Sequence, residues 1–248
     1  MVSGRHRNCK YTKKSTLKSC KLCYNKPMNI TIRHETEKDF RRVEEVTRDA
    51  FWNLYVPGCE EHFLVHKMRK HTDFIKELSF VIEVDGIVEG AIFFTKSKIM
   101  QANKTVLNTV TFGPVCISPK FHRQGLGRKL ITHAIESAKK LNFSAIIILG
   151  YPYHYTPYGF VGGKKYAISL QDGNFYKGLL VLPLQENALN GISGYADFST
   201  AFEIDKEELE AFDKKFPHKE KLALPCQEEF AIASTEIDEH EVIIPFTN

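Results

Sequence analysis

The stretch VTFGPVCISPKFHRQGLGRK, residues 110–129, contains the pattern that decides the fold. The apolar, β-branched run from Val110 to Ile117 predicts a strand, and Ser118-Pro119 ends it. A basic loop with two glycines follows, and from Leu126 onward apolar residues recur at three-and-four spacing, which predicts a helix with one buried face. When a strand is followed by a glycine loop and then by the first turn of a helix, unpaired main-chain N–H groups point at an anion, typically phosphate.

The glycine loop does not match the common nucleotide-binding motifs. A P-loop ends in Gly-Lys-Ser/Thr, whereas this chain has Gly127-Arg128-Lys129. A dinucleotide fingerprint requires a third glycine three residues after the second, where this chain has Leu130. Taken alone, the loop is also compatible with an ordinary strand–turn–helix connection that binds no ligand.

The hexapeptide HRQGLG, residues 122–127, resembles the motif Gln/Arg-x-x-Gly-x-Gly/Ala of the GNAT superfamily of acyl-CoA N-acyltransferases. The chain departs from that motif at the first position, where it has His, but it keeps both glycines and the main-chain donors. The resemblance implies that acetyl-CoA binds here as the acyl-donor cosubstrate, and that main-chain N–H groups of the preceding strand stabilise the thioester oxyanion. The cofactor-binding residues that it implies are Val115, Cys116, Ile117, His122, Arg123, Gln124, Gly125, Leu126, Gly127 and Arg128.

A second element of the same family lies further along the chain. Tyr155, followed by Gly159-Phe160, resembles the family's Tyr-x-x-x-Gly-Phe element, and the family places it after the fifth strand. The resemblance implies that Tyr155 is catalytic, because a phenol is neutral at pH 7 and can donate a proton to the departing CoA thiolate. Core or interface packing is the alternative for the four tyrosines of this stretch. The resemblance covers roughly residues 28–184 and looks closest to a broad bacterial branch of predicted N-acetyltransferases.

The order of predicted elements indicates a mixed α/β protein. The resemblance implies a GNAT-like fold, with a central, mostly antiparallel twisted sheet flanked by helices. We expect residues 28–184 to form the acetyltransferase domain and residues 185–248 to form a C-terminal appendage packed on it. That appendage carries no recognisable chemistry; it could cover the acceptor cleft or make a homodimer contact.

An aromatic loop and the helix after it are candidates for the acceptor site. Residues 51–59 read FWNLYVPGC, and two histidines follow in the next helix. In the resembled family, the corresponding loop and helix form one wall of the acceptor site. The implied substrate contacts are Trp52, Tyr55, His62 and His66. Core packing is an equal alternative for the aromatic residues, and Cys59 with the two histidines could share a helix face as a metal site, although we expect no metal.

The first 27 residues differ in character from the rest of the chain. The whole sequence has a net charge of +4, but residues 1–28 contain eight Lys and Arg and no acid, so the remainder is acidic. We expect a disordered basic extension, or a start codon placed upstream of a true start at Met28. Two alternatives stay open: a zinc knuckle formed by His6, Cys9, Cys20 and Cys23, and a tail that touches nucleic acid, although nucleic acid is not an expected partner of the protein.

Composition narrows the class of protein. The chain is 43% hydrophobic and 26% charged, as in soluble globular proteins, and no apolar run is long enough to span a bilayer. With neither a signal peptide nor a disulfide-rich pattern, the sequence predicts a cytoplasmic protein with reduced cysteines and no membrane partner.

The resemblance implies an enzyme that moves the acetyl group of acetyl-CoA to the amine of an unidentified acceptor by direct attack. Glu83, His62 and His66 are the candidates for the base that deprotonates the amine. A nucleophilic role for Cys116 is a further alternative that would require a base partner. From another class, a non-catalytic acyl-CoA sensor with the same fold is the alternative function.

Overall fold

The computed structural model describes residues 28–239, and the interpretations of residues 1–27 lie outside the described residues. Four strands form an antiparallel meander: β1 (Ile30–His34), β2 (Phe80–Val84), β3 (Ile87–Met100) and β4 (Val106–Ile117). The dipeptide Asp85-Gly86 predicts a tight hairpin turn, and positive φ angles of 51° at Asp85 and 81° at Gly86 form it between β2 and β3.

The second half of the sheet is added on the far side of β4. Strand β5 (Ala145–Leu149) runs parallel to β4 and is followed in the sheet by β8 (Leu179–Pro183) and β6 (Val161–Gly162). Two short strands, β7 (Ile168–Ser169) and β9 (Gly194–Asp197), pair with each other, and β9 also extends the edge of β3. The sheet is therefore mostly antiparallel, as predicted.

One predicted strand is interrupted. Residues 160–169 read as a continuous strand in the sequence, but the structure divides them into β6 and β7 with a tight turn at Gly163–Tyr166 between them. The turn ends at Ala167, whose φ of 51° is incompatible with an extended chain.

Helices cover both faces of the sheet. On one face lie α1 (Phe40–Phe51) and α2 (Glu61–Met68); on the other lies α3 (Leu126–Lys140), and the described chain also contains α4 (Pro152–Tyr155), α5 (Lys206–Asp213) and α6 (Pro225–Thr235). The predicted mixed α/β class is confirmed. None of the helices within residues 28–239 combines the length and the apolar character needed to cross a bilayer.

An ion pair joins the C-terminal segment to the core. The Arg48 side chain, only 3% exposed, donates from Nε to Asp213 Oδ1 at 2.7 Å and from Nη1 to the Pro217 carbonyl at 3.0 Å. A buried guanidinium without its partner would be costly, so this pair holds the end of α5 against α1. Residues after 184 thus complete the sheet through β9 as well as packing on the helices.

Candidate active site

The site begins where β4 and β5 separate. Their parallel pairing is confined to Val110 and Ile146, and a bulge in β4 follows, in which Gly113 and Pro114 lie opposite the single residue Phe93. Beyond the bulge, β4 continues along β3 alone. A cleft of about 420 Å³ lies next to the unpaired end of β4.

Main-chain donors of β4 face this cleft. Ser118 donates its N–H to the Glu89 carbonyl of β3 at 2.7 Å. Because successive peptide groups alternate in direction along a strand, the N–H groups of Ile117 and Val115 point to the opposite side, where β5 has diverged. These two donors are available to an acceptor oxygen in the cleft.

A cradle of N–H groups continues from β4 into the start of α3. The first helical N–H with a partner is that of Lys129, which donates to the Gly125 carbonyl at 3.1 Å. Within the described chain, the N–H groups of residues 123–128 have no hydrogen-bond partner. Positive φ angles of 60° at Arg123 and 83° at Gly125 turn them toward a common centre. With Arg123 and Arg128 lining the cleft, its mouth is suited to an anion.

The loop is braced in this conformation from outside. His122 Nε2 donates to the Ile117 carbonyl at 2.9 Å, and the Gln124 side chain donates to the Lys120 carbonyl at 3.0 Å. The buried Glu89 carboxylate binds Lys120 and, at 3.0 Å, Arg42 of α1. The Gln124 side chain therefore supports the loop from behind and does not line the cleft.

Tyr155 lies at the inner end of the cleft. Its ring packs between Phe112 and Phe160, at centroid distances of 5.6 and 5.7 Å. Gly150 makes room for it, since a Cβ at that position would lie 2.6 Å from the tyrosine ring. Burial raises the pKa of Tyr155 to about 12, so the phenol stays protonated at neutral pH.

Tyr55 forms the opposite wall. Its ring lies 5.7 Å from Phe51 and stacks on Phe230 of α6 at 3.9 Å. The pKa of Tyr55 is raised by burial and also by two neighbouring groups, the Tyr155 hydroxyl and the Glu61 carboxylate. These three groups are therefore within electrostatic range of one another.

Glu61 is a potential proton acceptor that the sequence interpretation did not single out. It lies in the first turn of α2, where its carboxylate accepts the Glu60 N–H at 3.0 Å. Burial raises the pKa of Glu61 to about 7, so it exchanges a proton near neutral pH. The sequence signal was weak, because a glutamate in the first turn of a helix is usually an exposed residue that interacts with the helix dipole.

The implied cofactor residues other than Gln124 line one cleft together with Tyr55 and Tyr155. Trp52 lies elsewhere: its indole donates to the Glu220 carbonyl at 2.9 Å, and its ring stacks under Arg48 at 4.1 Å. His66 donates a hydrogen bond from Nδ1 to the Glu44 carboxylate at 2.9 Å and packs on Phe212. Both side chains are engaged by structure outside the cleft.

His62 is fully buried between α2 and the C-terminal segment. Its Nδ1 contacts the Cys59 thiol at 3.3 Å and its Nε2 lies 3.1 Å from Asp213. Burial lowers the pKa of His62 to about 4, so the ring is neutral at pH 7. Glu83, another candidate base, is held by Arg33 at the sheet edge. Neither His62 nor Glu83 lines the cleft, and Glu61 also lies outside its lining.

Cys116 lines the cleft but is not placed as a nucleophile. Its thiol contacts the Thr47 hydroxyl at 3.4 Å, and burial raises its pKa to about 11. A thiol in this environment is protonated at neutral pH and is unreactive. For metals, the part of the chain that the structure describes contains no cluster of three His, Cys, Asp or Glu residues arranged to hold an ion.

The chain is similar in sequence to known acetyltransferases. Residues 48–153 match the model of the acetyltransferase (GNAT) family. The chain is also 26% identical over 174 residues to the uncharacterized N-acetyltransferase YhbS of Escherichia coli K12, a match that covers 70% of this chain and 98% of that protein.

Two solved structures share the fold. One is the GNAT family N-acetyltransferase YhbS from Escherichia coli in complex with CoA, with a TM-score of 0.62 and 24% identity over 71% of this chain and 92% of that one. The other is a GNAT family acetyltransferase from Brucella melitensis in complex with acetyl-CoA, with a TM-score of 0.57 and 22% identity over 71% and 99% of the two chains.

The contact between Gly150 and Tyr155 gives a first prediction. Gly150→Ala should lower the free energy of unfolding by about 1–3 kcal/mol, because the new methyl group overlaps the tyrosine ring. The same substitution in a Tyr155→Leu background should cost much less, since the ring is absent. Urea unfolding of the four proteins of this cycle measures the coupling. Additive effects would mean that the glycine does not position Tyr155.

Proposed function

We propose that the chain, which resembles the GNAT superfamily of acetyltransferases in sequence and in fold, transfers the acetyl group of acetyl-CoA directly to the amine of an acceptor. One observation carries the proposal: a single cleft joins the unpaired N–H groups of residues 123–128 to the partly buried Tyr155 phenol. The N–H groups suit the phosphates of acetyl-CoA, and the phenol suits the CoA thiolate that leaves.

The cradle at the start of α3 would hold the pyrophosphate. Its N–H groups supply hydrogen bonds without side-chain entropy, and Arg123 and Arg128 add positive charge. The acyl arm would then follow β4 into the cleft, where the N–H groups of Val115 and Ile117 are free to bind oxygen atoms. This arrangement brings the thioester near Tyr155.

The transfer requires three events. The amine nitrogen attacks the thioester carbon, forming a C–N bond and a tetrahedral oxyanion that the β4 donors stabilise. The C–S bond then breaks, and its electrons leave on the CoA sulfur. The nitrogen loses a proton to a base, either before or during attack, because an alkylammonium ion has a pKa near ~10 and no free electron pair.

Tyr155 would act on the departing sulfur. With its pKa raised to about 12, the phenol keeps its proton at neutral pH and can donate a hydrogen bond. Complete proton transfer to a thiolate with an ordinary pKa of about 8.5 would be uphill by roughly three to four pKa units. Its main contribution is therefore a hydrogen bond that stabilises the developing negative charge, with the proton supplied as the thiolate is released.

Glu61 is the base that we propose. Its carboxylate lies within electrostatic range of Tyr55 but outside the side chains that line the cleft, so a water would carry the proton to it from the amine, and its pKa of about 7 suits proton exchange at neutral pH. His154 also lines the cleft, with a pKa below the ordinary histidine value because of partial burial. Its exposed position on the rim favours Glu61 for the inner role.

A non-catalytic acyl-CoA sensor would also use the cradle, but it would not need a buried phenol opposite a carboxylate of near-neutral pKa. Binding without turnover is the outcome that would identify such a sensor.

Acetyl-CoA binding tests the cradle. Calorimetry on the full-length protein should show micromolar-range binding, and Gly125→Val should weaken it at least about ten-fold by blocking main-chain approach. Gly86→Val is the matched control, because its φ of 81° is close to the 83° of Gly125 and both glycines have open space around them. Equal binding by wild type and the Gly125 variant, with both folded by circular dichroism, would show that the loop does not bind the donor.

Removal of the phenol tests the leaving-group role. Tyr155→Phe should lower kcat by roughly ten-fold or more and leave acetyl-CoA affinity nearly unchanged, because the hydroxyl acts in the transition state. The exposed Tyr153 gives the control substitution Tyr153→Phe, which should keep full kcat. CoA release with a panel of primary amines provides the rate. An unchanged kcat would remove Tyr155 from the mechanism.

The pH profile tests the base. A base acts when deprotonated, so kcat/KM should rise with pH through an inflection near 7, in addition to the rise that every variant shares from deprotonation of the amine. Glu61→Gln should lose that inflection and retain acetyl-CoA binding. His154→Gln should keep it. If the inflection instead disappears in the histidine variant, His154 is the base and Glu61 is not.

A further inference from the structure

The C-terminal segment 220–238, which we name the strap, is attached to one wall of the cleft at its beginning. The side chains of Trp52 and Asn53 both donate to the Glu220 carbonyl, at 2.9 and 3.0 Å. Gln227 donates back to the Asn53 carbonyl at 3.1 Å. These bonds hold the strap against the loop after α1, the loop that carries Tyr55.

The strap is attached to the other wall at its end. Lys177 donates its N–H to the Glu236 carbonyl at 2.9 Å, and the two residues also form an ion pair. Asp238 donates its N–H to the Phe175 carbonyl at 2.6 Å. The neighbouring Gly178 accepts the N–H of Gly150, the residue against which Tyr155 packs. The strap therefore runs from the Tyr55 wall to the Tyr155 wall.

Between these two attachments, the strap places an aromatic ring at the acceptor end of the cleft. Phe230 stacks on Tyr55 at 3.9 Å and meets Tyr151 edge-on at 5.8 Å. The ring is only partly buried by these contacts, so one part of it can meet a further group.

The two ends of the cleft differ in charge. Arg123 and Arg128 lie at the donor end, whereas Leu54 and Tyr55 line the other end and Phe230 extends that apolar and aromatic surface by stacking on Tyr55. Aromatic faces attract an ammonium group. The Glu61 carboxylate lies within electrostatic range of Tyr55 and attracts the same positive charge. A second charged group on the acceptor would lose its hydration against aromatic rings, which is costly.

Space limits the acceptor further. The cleft of about 420 Å³ must contain both the thioester end of the donor and the acceptor, and the strap is fixed beside it at both ends. We propose that the strap is the outer wall of the acceptor site and that it selects a small primary amine carried on an uncharged aromatic or apolar body, with Phe230 as the residue that determines this specificity. The proposal rests on the proposed acetyl transfer.

The test compares two substitutions in α6 of the full-length protein. Phe230→Ala removes the ring at the acceptor end. Ile232→Ala, at a side chain that is 63% exposed, is the matched control in the same helix. The probe is 2-phenylethylamine, titrated by calorimetry into each protein with and without CoA. The Phe230 variant should bind it about five-fold more weakly, as expected for one lost aromatic contact, and should bind acetyl-CoA as wild type does. The control should match wild type in both.

Acetylation rates give the second readout. Wild type should prefer 2-phenylethylamine over a lysine-containing peptide in kcat/KM, and Phe230→Ala should reduce that preference by about ten-fold. Equal binding of the amine by wild type and Phe230→Ala would overturn the proposal. If Phe230→Ala raised the acetylation rate of every amine by the same factor, the proposal would also be overturned, because the strap would then hinder all amines without selecting among them.

Failure of the acetyltransferase function has a different signature. Wild type would then fail to bind acetyl-CoA, or would bind it without acetylating any amine. Amine binding by calorimetry does not depend on transfer, so the role of Phe230 in binding is decided separately from the chemistry.

Discussion

The separation of two parallel strands is the constraint on which the site depends. Strands β4 and β5 share one register pair, Val110 with Ile146, and the bulge at Gly113-Pro114 directs β4 away immediately afterwards. A main-chain donor that lacks a partner is costly in a dry core. Here the donors of Val115 and Ile117 open into a cleft and are continuous with those at the start of α3. The fold thus presents one row of donors suited to a long, oxygen-rich ligand.

Burial then adjusts the acid–base groups at the inner end of that row. Tyr155 and Tyr55 are kept protonated because the charged phenolate would be poorly solvated, and the same desolvation raises the pKa of Glu61 to about 7. The donor end has positive charge and the acceptor end has aromatic surface. In the proposed reaction, this division would separate the binding of phosphate from the deprotonation of the amine.

The C-terminal segment shapes the site without contributing a recognisable motif. The buried Arg48–Asp213 pair docks α5 onto α1, and His62 of α2, which is neutral there, packs beside Asp213. Further along, the strap covers the acceptor end and stacks Phe230 on Tyr55. The C-terminal segment therefore covers side chains of the core, among them His62 and Tyr55, that would be more exposed without it.

The sequence by itself determined the elements and the donor end of the cleft. Local rules suffice for the Asp85-Gly86 turn, for the strand Val106–Ile117 and for the helix that starts after Gly125, because propensity, periodicity and a positive φ act over a few residues. Only the tertiary structure decided the acceptor end. Trp52, His62 and Glu61 lie within ten residues of one another, yet the first two pack against a segment about 150 residues away in the chain and the third is buried beside Tyr55. Burial depends on which distant residues cover a side chain, and spacing along the chain does not encode that.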